Sequence, residues 1–410
     1  MAKSGYFNAL HIVLNAARNG SLVAAVAAIG LSLPSLGAES AASSDRLTHF
    51  LDFFNPYMSL SYAYDSNVLR LDDITPLPDG RADQYGTLAL GFDSTMQKGA
   101  QKFDVNGEFN ARRYHIYDQY NYQGGRALAI WHWEASQAWT GTAGYKYLRT
   151  LRDFANEISP KRTMNMRNEH RVFASADDAL SDHWKWGLRG DAADIKYTST
   201  KTLDLQRTSG GTTFSYISKA ENELGLDLNV INGNYTQGEA ADFTEYAAGP
   251  VLKWKYTVRT QLYAQAGYTQ RHNRGRNPST FGAATGKVTL TIADAGRGSL
   301  KASAYREFSN LGDEIADYTV VDGLSIEPGW TLSNGRSFRL HGSYEHRDFR
   351  TSQGSTGRLD DVGTVSGFLD WPLGNHIKIT AGLTTERRSS NLLYQDYEYL
   401  QQQIGIVGTL

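Results

Sequence analysis

From about Asn55 to its last residue the chain alternates apolar and polar side chains in short runs separated by polar turns. The clearest stretches read Leu224-Gly-Leu226-Asp-Leu228-Asn-Val230, Phe338-Arg-Leu340-His-Gly342-Ser-Tyr344 and Ile377-Lys-Ile379-Thr-Ala381-Gly-Leu383. A period of two sends successive side chains to opposite faces of a strand, so each strand meets an apolar medium on one face and a polar one on the other. No run here approaches the roughly 20 apolar residues of a membrane-crossing helix. Soluble sandwiches and propellers share the alternation, as does a closed sheet with lipid outside and water inside.

Three further features favour the closed sheet. The 24 Tyr, 16 Phe and 8 Trp supply amphipathic rings for the two membrane interfaces. The 40 Gly and only 9 Pro let strands bend while keeping their ladders intact. Third, the links alternate in length. Lys98-Gly-Ala-Gln101, Ser181-Asp-His183, Lys219-Ala-Glu221, Ala295-Gly-Arg297, Ser333-Asn-Gly335 and Gly374-Asn375 are tight turns, with longer polar links such as 70–83 and 153–166 between them. Short links on one rim and long ones on the other are the pattern of outer-membrane barrels, the short side facing the periplasm. No blade-sized repeat of about 40–45 residues supports a propeller. The sequence therefore predicts an all-β fold: a transmembrane antiparallel barrel of about 18 strands (16–18), opening at 55–69 and closing at 396–410. The final residue, Leu410, stands where such barrels usually end on an aromatic.

Residues 1–38 read as a signal peptide. Lys3 and Arg18 precede the apolar stretch 21–33, Pro34 ends it, and small residues lead to cleavage near Ala38, with Leu36 departing from the small-residue preference. The apolar core is too short for a comfortable helical span, and with no cysteine in the chain a lipoprotein anchor is excluded. Residues 39–54 form a periplasmic lead-in and 55–410 the barrel. The expected location is the outer membrane of a Gram-negative bacterium. A net charge of −2 rules out a broadly basic nucleic-acid binder.

With the apolar rows turned to lipid, the opposite rows give the lumen. They carry Glu108 and Arg112; Lys185 and Arg189; Arg339, His341, Glu345 and Arg347; and Lys378, Glu386 and Arg388. Charge on the lipid face costs about 2–4 kcal/mol at the midplane for Arg or Lys, so these eleven are the lumen candidates. Tyr114, Tyr263 and Tyr305 share that side. His132 with Glu134, and His341 with Ser343 and Glu345, are same-face neighbours of the kind any polar strand produces, so the reading is of a non-enzyme. Asp72-Asp73 and Asp360-Asp361 lie in or beside outer links, where solvated charge is the plainer account than Ca²⁺ ligation. No cofactor motif or metal pattern appears.

The opening segment is the most specific. Asn55-Pro-Tyr57-Met-Ser-Leu-Ser-Tyr62-Ala-Tyr64-Asp65-Ser66-Asn67-Val68-Leu69-Arg70-Leu71 resembles the start of EpsL-like outer-membrane proteins of exopolysaccharide operons, which are often associated with exosortase/PEP-CTERM systems. That family is related to a broader group of β-barrel porins. The resemblance implies a part in exopolysaccharide biosynthesis or export, as a passive conduit with outer-membrane lipid, polysaccharide and periplasmic export or synthesis components as partners. The alternatives are a general or small-solute diffusion porin, or a structural barrel with a plugged lumen.

Overall fold

The computed structural model describes residues 54–236, 242–274, 278–293, 298–309, 316–351 and 354–409. The leader, the cleavage position, most of the lead-in, the turn at Ala295-Gly-Arg297 and Leu410 lie outside them. The first half of the barrel holds β1 (Pro56–Asp65), β2 (Asp83–Lys98), β3 (Gln101–Tyr114), β4 (Tyr122–Glu134), β5 (Trp139–Leu151), β6 (Met166–Ala179), β7 (Trp184–Tyr197), β8 (Leu205–Ile217) and β9 (Glu223–Tyr235). The second holds β10 (Asp242–Lys255), β11 (Thr260–Arg274), β12 (Ser279–Ala293), β13 (Gly298–Ser309), β14 (Tyr318–Thr331), β15 (Ser337–Thr351), β16 (Gly354–Pro372), β17 (Ile377–Ser390) and β18 (Tyr397–Thr409). Every strand pairs antiparallel with its sequence neighbours. β1 closes the ring on β18, with Tyr57 opposite Thr409 and Asp65 opposite Gln401. The result is a closed 18-stranded barrel with no free sheet edge.

The concave side identifies the lumen, because side chains converge there and reach past the adjacent strand. Tyr57 on β1 donates to Glu108 on β3 (2.8 Å), Arg189 on β7 pairs with Asp227 on β9 (2.7 Å), and Tyr305 on β13 donates to Glu345 on β15 (2.6 Å). Their rows face inward; the alternate rows face out. On β9 the outward Leu224, Leu226 and Leu228 are 58%, 53% and 44% exposed while inward Asp227 is 9% exposed. That much exposed leucine in a continuous band is stable only against lipid.

All eight Trp sit on outward rows at the short-turn rim: Trp131, Trp133, Trp139, Trp184, Trp186, Trp254, Trp330 and Trp371. Several stack on outward Phe, as Trp184 does on Phe214 at 4.9 Å. Outward Tyr62, Tyr246, Tyr268 and Tyr344 mark the opposite boundary. From Trp254 up to Tyr246, at about 3.4 Å per residue and a tilt of about 40°, the rise is about 20 Å, near the ~25 Å apolar band of outer-membrane barrels. The chain is therefore an outer-membrane β-barrel with the tight turns, and both ends of the strand series, on the Trp side.

Several turns have the backbone their residues suggest, with Gly335 at φ 79° and Gly374 at φ 109°. Two expectations need adjustment. The opening strand, expected to run to residue 69, ends at Asp65, whose carboxylate accepts from the Asn67 N–H (2.9 Å) and turns the chain inward. On β4 the apolar-outside rule fails. Cross-strand pairing of Glu108 with Arg126 and Asp104 with Ile130 puts Leu128 and Ile130 in the lumen and Ala127 and Ala129 on the lipid side. The chain has no native cysteine, so single replacements report cleanly. Ile130→Cys is expected to react with a membrane-impermeant maleimide in whole cells or vesicles and Ala129→Cys to be spared; the opposite pattern would mean the β3–β4 register is off by one.

Candidate functional site

The lumen is shaped first at its extracellular mouth. The link between β1 and β2 folds into the barrel, burying Val68, Leu69 and Leu71 against Tyr85, Tyr114, Tyr117, Tyr120 and Phe154. The segment Asp65–Leu71 builds this fold from its own side chains. Arg70, in the left-handed region at φ 53°, returns its guanidinium to both oxygens of Asp65 (2.9 and 2.8 Å) and lies 3.5 Å over the Tyr399 ring. Asn67 donates to the carbonyls of Leu71 (2.7 Å) and Glu398 (3.1 Å) and accepts from the Leu71 N–H. The residues that carry the EpsL resemblance are thus spent on latching a loop to β18.

A second link, between β5 and β6, is held across the first. Arg162, 5% exposed, donates to four carbonyls: Leu69 (2.9 Å), Arg70 (2.8 Å), Ser159 (2.7 Å) and Glu157. Tyr120 donates to the Arg162 carbonyl (3.0 Å), and burial pushes the phenols of Tyr117 and Tyr120 up, so both remain protonated donors. The same link reaches β17: Arg388 donates to Ala155 O, and Gln395 to Ile158 O (3.0 Å). Since β5 and β17 stand a third of the ring apart, the two links roof one side of the mouth.

The eleven sequence candidates stand on rows that the register turns inward, in separate groups. Glu108 accepts from Tyr57 and Arg126. Arg112 donates to Thr87 (3.2 Å) and lies 4.4 Å over Tyr85. Lys185 faces Asp177 (3.6 Å), and Arg189 clamps Asp227 through both nitrogens. Glu345 joins Tyr305 to Arg347 (2.7 Å), with His341 on the same row. Arg339 and Lys378 share Asp370 at 3.3 and 4.0 Å. Glu386 accepts from Thr364 (3.0 Å) and Tyr397, while Arg388 belongs to the mouth. Half-exposed pairs of this kind are each worth no more than about 1 kcal/mol; they set the charge pattern of the wall more than its stability.

The neighbouring acidic pairs diverge. Asp360 is buried against Arg358 (2.6 Å) on the inner row, whereas Asp361 meets His346 and Tyr344 outside. Asp72 is buried and Asp73 exposed. Among the described residues no group of three or more His, Asp or Glu side chains is arranged to hold a metal ion. His132 is engaged with Asp104 (3.0 Å) and Glu345 with Tyr305 and Arg347, so neither same-face set forms a nucleophile–base pair.

One part of the wall was singled out by the sequence only at Arg189. On β5–β8 the inward Lys146, Arg171, Arg189 and Arg207 surround a depression of about 530 Å³ whose floor includes Phe173. Arg167, Glu169 and Arg171 alternate along β6, a polar row the sequence carries. Phe173, on the same row, was not legible as part of it, because apolarity alone assigns it to lipid.

No family model and no curated protein matches the chain. Among solved structures it is similar to the outer membrane protein OpdK from Pseudomonas aeruginosa, at 11% identity and a TM-score of 0.47, over 88% of this chain and 100% of that one. It is also similar to OccK9 (OpdG) of Pseudomonas aeruginosa, at 10% identity and a TM-score of 0.48 with the same coverage. OccAB3 of Acinetobacter baumannii gives 10%, 0.44, and 87% and 99%. The closed register of the ladders, not these likenesses, defines the barrel.

Proposed function

We propose that this outer-membrane barrel is a diffusion channel for small solutes. The observation that carries the reading is the lumen itself. Inside a closed wall stand rows of interleaved cations and carboxylates, and inward-folded links narrow the mouth on the β1–β5 side. Mixed charge at many weak sites lets a solute enter and leave. A polymer conduit, the other function the opening segment suggests, gains nothing from the roofed mouth, and the segment that suggests it is occupied in holding that roof.

Liposome swelling with the purified full-length barrel tests this. Monosaccharides and small organic ions are expected to permeate and dextrans to be excluded, while a deletion strain still releases its exopolysaccharide. Absence of swelling with every small solute, together with lost polymer release on deletion, would overturn the reading in favour of export.

A further inference from the structure

The β5–β8 wall has an excess of cations. Lys146, Arg167, Arg171, Arg189 and Arg207 stand against Glu169, Asp191 and Asp227. Arg189 is satisfied by Asp227, but Arg171 (3.0 Å) and Arg207 (3.6 Å) share Asp191, and Lys146 (3.7 Å) and Arg167 (2.7 Å) share Glu169. Two positive charges are left without a carboxylate of their own around one depression. The shared partners sit low on the wall, at 10% and 8% side-chain exposure, while Arg171 and Lys146 are 36% and 43% exposed.

Beside them the wall is apolar, which a water-filled path does not require. Phe173 faces Gly144 across the β5–β6 ladder, and Gly144 faces Ile130 across β4–β5. A Cβ on Gly144 would lie 2.3 Å from Phe173 Cζ, so the ring is laid flat over the glycine, toward Ile130. Leu128, opposite Lys146, extends the patch. Phe173 and the cations therefore adjoin within one concavity of about 530 Å³, with Ile130 and Leu128 continuing the apolar strip beside it on β4; an apolar surface with a few placed charges is the combination that orients a small ligand.

We propose that this depression is a binding subsite for small organic anions with an apolar ring, the anionic group held between Arg171, Arg207 and Lys146 and the ring resting on Phe173. The inference deepens the diffusion-channel reading by naming a solute class, and it rests on that reading for its transport meaning.

The probes are benzoate, acetate and benzyl alcohol, which separate charge from ring. In planar bilayers the full-length channel is expected to be blocked by benzoate at about tenfold lower concentration than by acetate, the size of one modest apolar contact. Benzyl alcohol should not block. Phe173→Ala should bring benzoate to the acetate level and leave acetate unchanged. Arg171→Gln with Arg207→Gln should remove block by both. Phe173→Leu, which keeps an apolar floor, guards against a folding defect, and heat-dependent gel mobility confirms each barrel. Equal block by benzoate and acetate, or block untouched by these variants, would overturn the subsite. Saturation-transfer NMR of benzoate with the detergent-solubilised barrel reads binding without conduction. Binding without conduction would sink the channel and keep the subsite, and conduction without binding the reverse.

Discussion

Arg162→Ala should let the β5–β6 link swing free, so that trypsin cuts after Lys161 roughly a hundredfold faster than in the unaltered barrel. The reason is the density of bonds on one side chain. Four carbonyls from two different links accept from this guanidinium, and its removal leaves them to seek water in a tightly packed mouth. Hydrogen bonds to a charged donor are worth about 1.5–3 kcal/mol each, but they are not additive and water replaces some, so about 3 kcal/mol of local stability is a fair expectation. At about 1.4 kcal/mol per factor of ten, that is roughly a hundredfold in the open population. Cleavage follows that population when opening is fast. The ladders should be unaffected, because stability in such a protein is local and the links are separate from the strands. Arg388→Ala should act in the same direction from the other anchor. Single-channel records supply an independent readout, with a higher and noisier conductance in both variants. Cleavage at the original rate, with a barrel of normal gel mobility, would mean that the roof is held by its apolar contacts alone.

How much of this was legible follows from where the information sits. Strands β2 (Asp83–Lys98) and β17 (Ile377–Ser390) lie within one residue of the 84–97 and 376–389 that the alternation indicates, because period two is a local property and the flanking links are polar. The roof was not legible. Arg162 finds Leu69 and Arg70 more than ninety positions earlier, and Arg388 finds Ala155 across a third of the ring. No window of sequence contains either pair. The eleven charged candidates were placed inward because charge on the lipid face is costly, an argument that works residue by residue. It has no converse for apolar residues. In Arg126-Ala-Leu-Ala-Ile-Trp131 the middle of both rows is apolar, and apolarity alone would send Leu128 and Ile130 to lipid; only Arg126, His132 and Glu134 at the ends of their row mark it as inward. Register against Glu108 and Asp104 decides it, turning Leu128 and Ile130 inward. Phe173 on β6 was hidden for the same reason, since apolarity alone assigns it to lipid although it shares a row with Arg167, Glu169 and Arg171.

The sharpest check on sidedness comes from adjacent residues on β14. Ile326 is 49% exposed on the outer row, midway between Trp330 and the Asp322 that marks the upper boundary, and Ser325 faces the lumen between Ser303 and Ser343. Ile326→Arg places a guanidinium against lipid near the midplane and should destabilise the barrel by about 2–4 kcal/mol. Ser325→Arg places the same group on the inward row beside the hydroxyls of Ser303 and Ser343, and should cost less than about 1 kcal/mol. The difference is read from denaturant unfolding in vesicles, with the folded fraction followed by tryptophan fluorescence. All eight Trp lie in the periplasmic girdle, so the signal reports loss of the lipid contact itself. Because side chains alternate with a period of two, a one-residue slip in the β13–β14–β15 ladders would exchange the two results. Equal costs would be the graver outcome, since they would mean that this wall does not divide lipid from water. The outer band of leucine and isoleucine, the inward rows of paired charge and the single-sided Trp girdle all depend on that division.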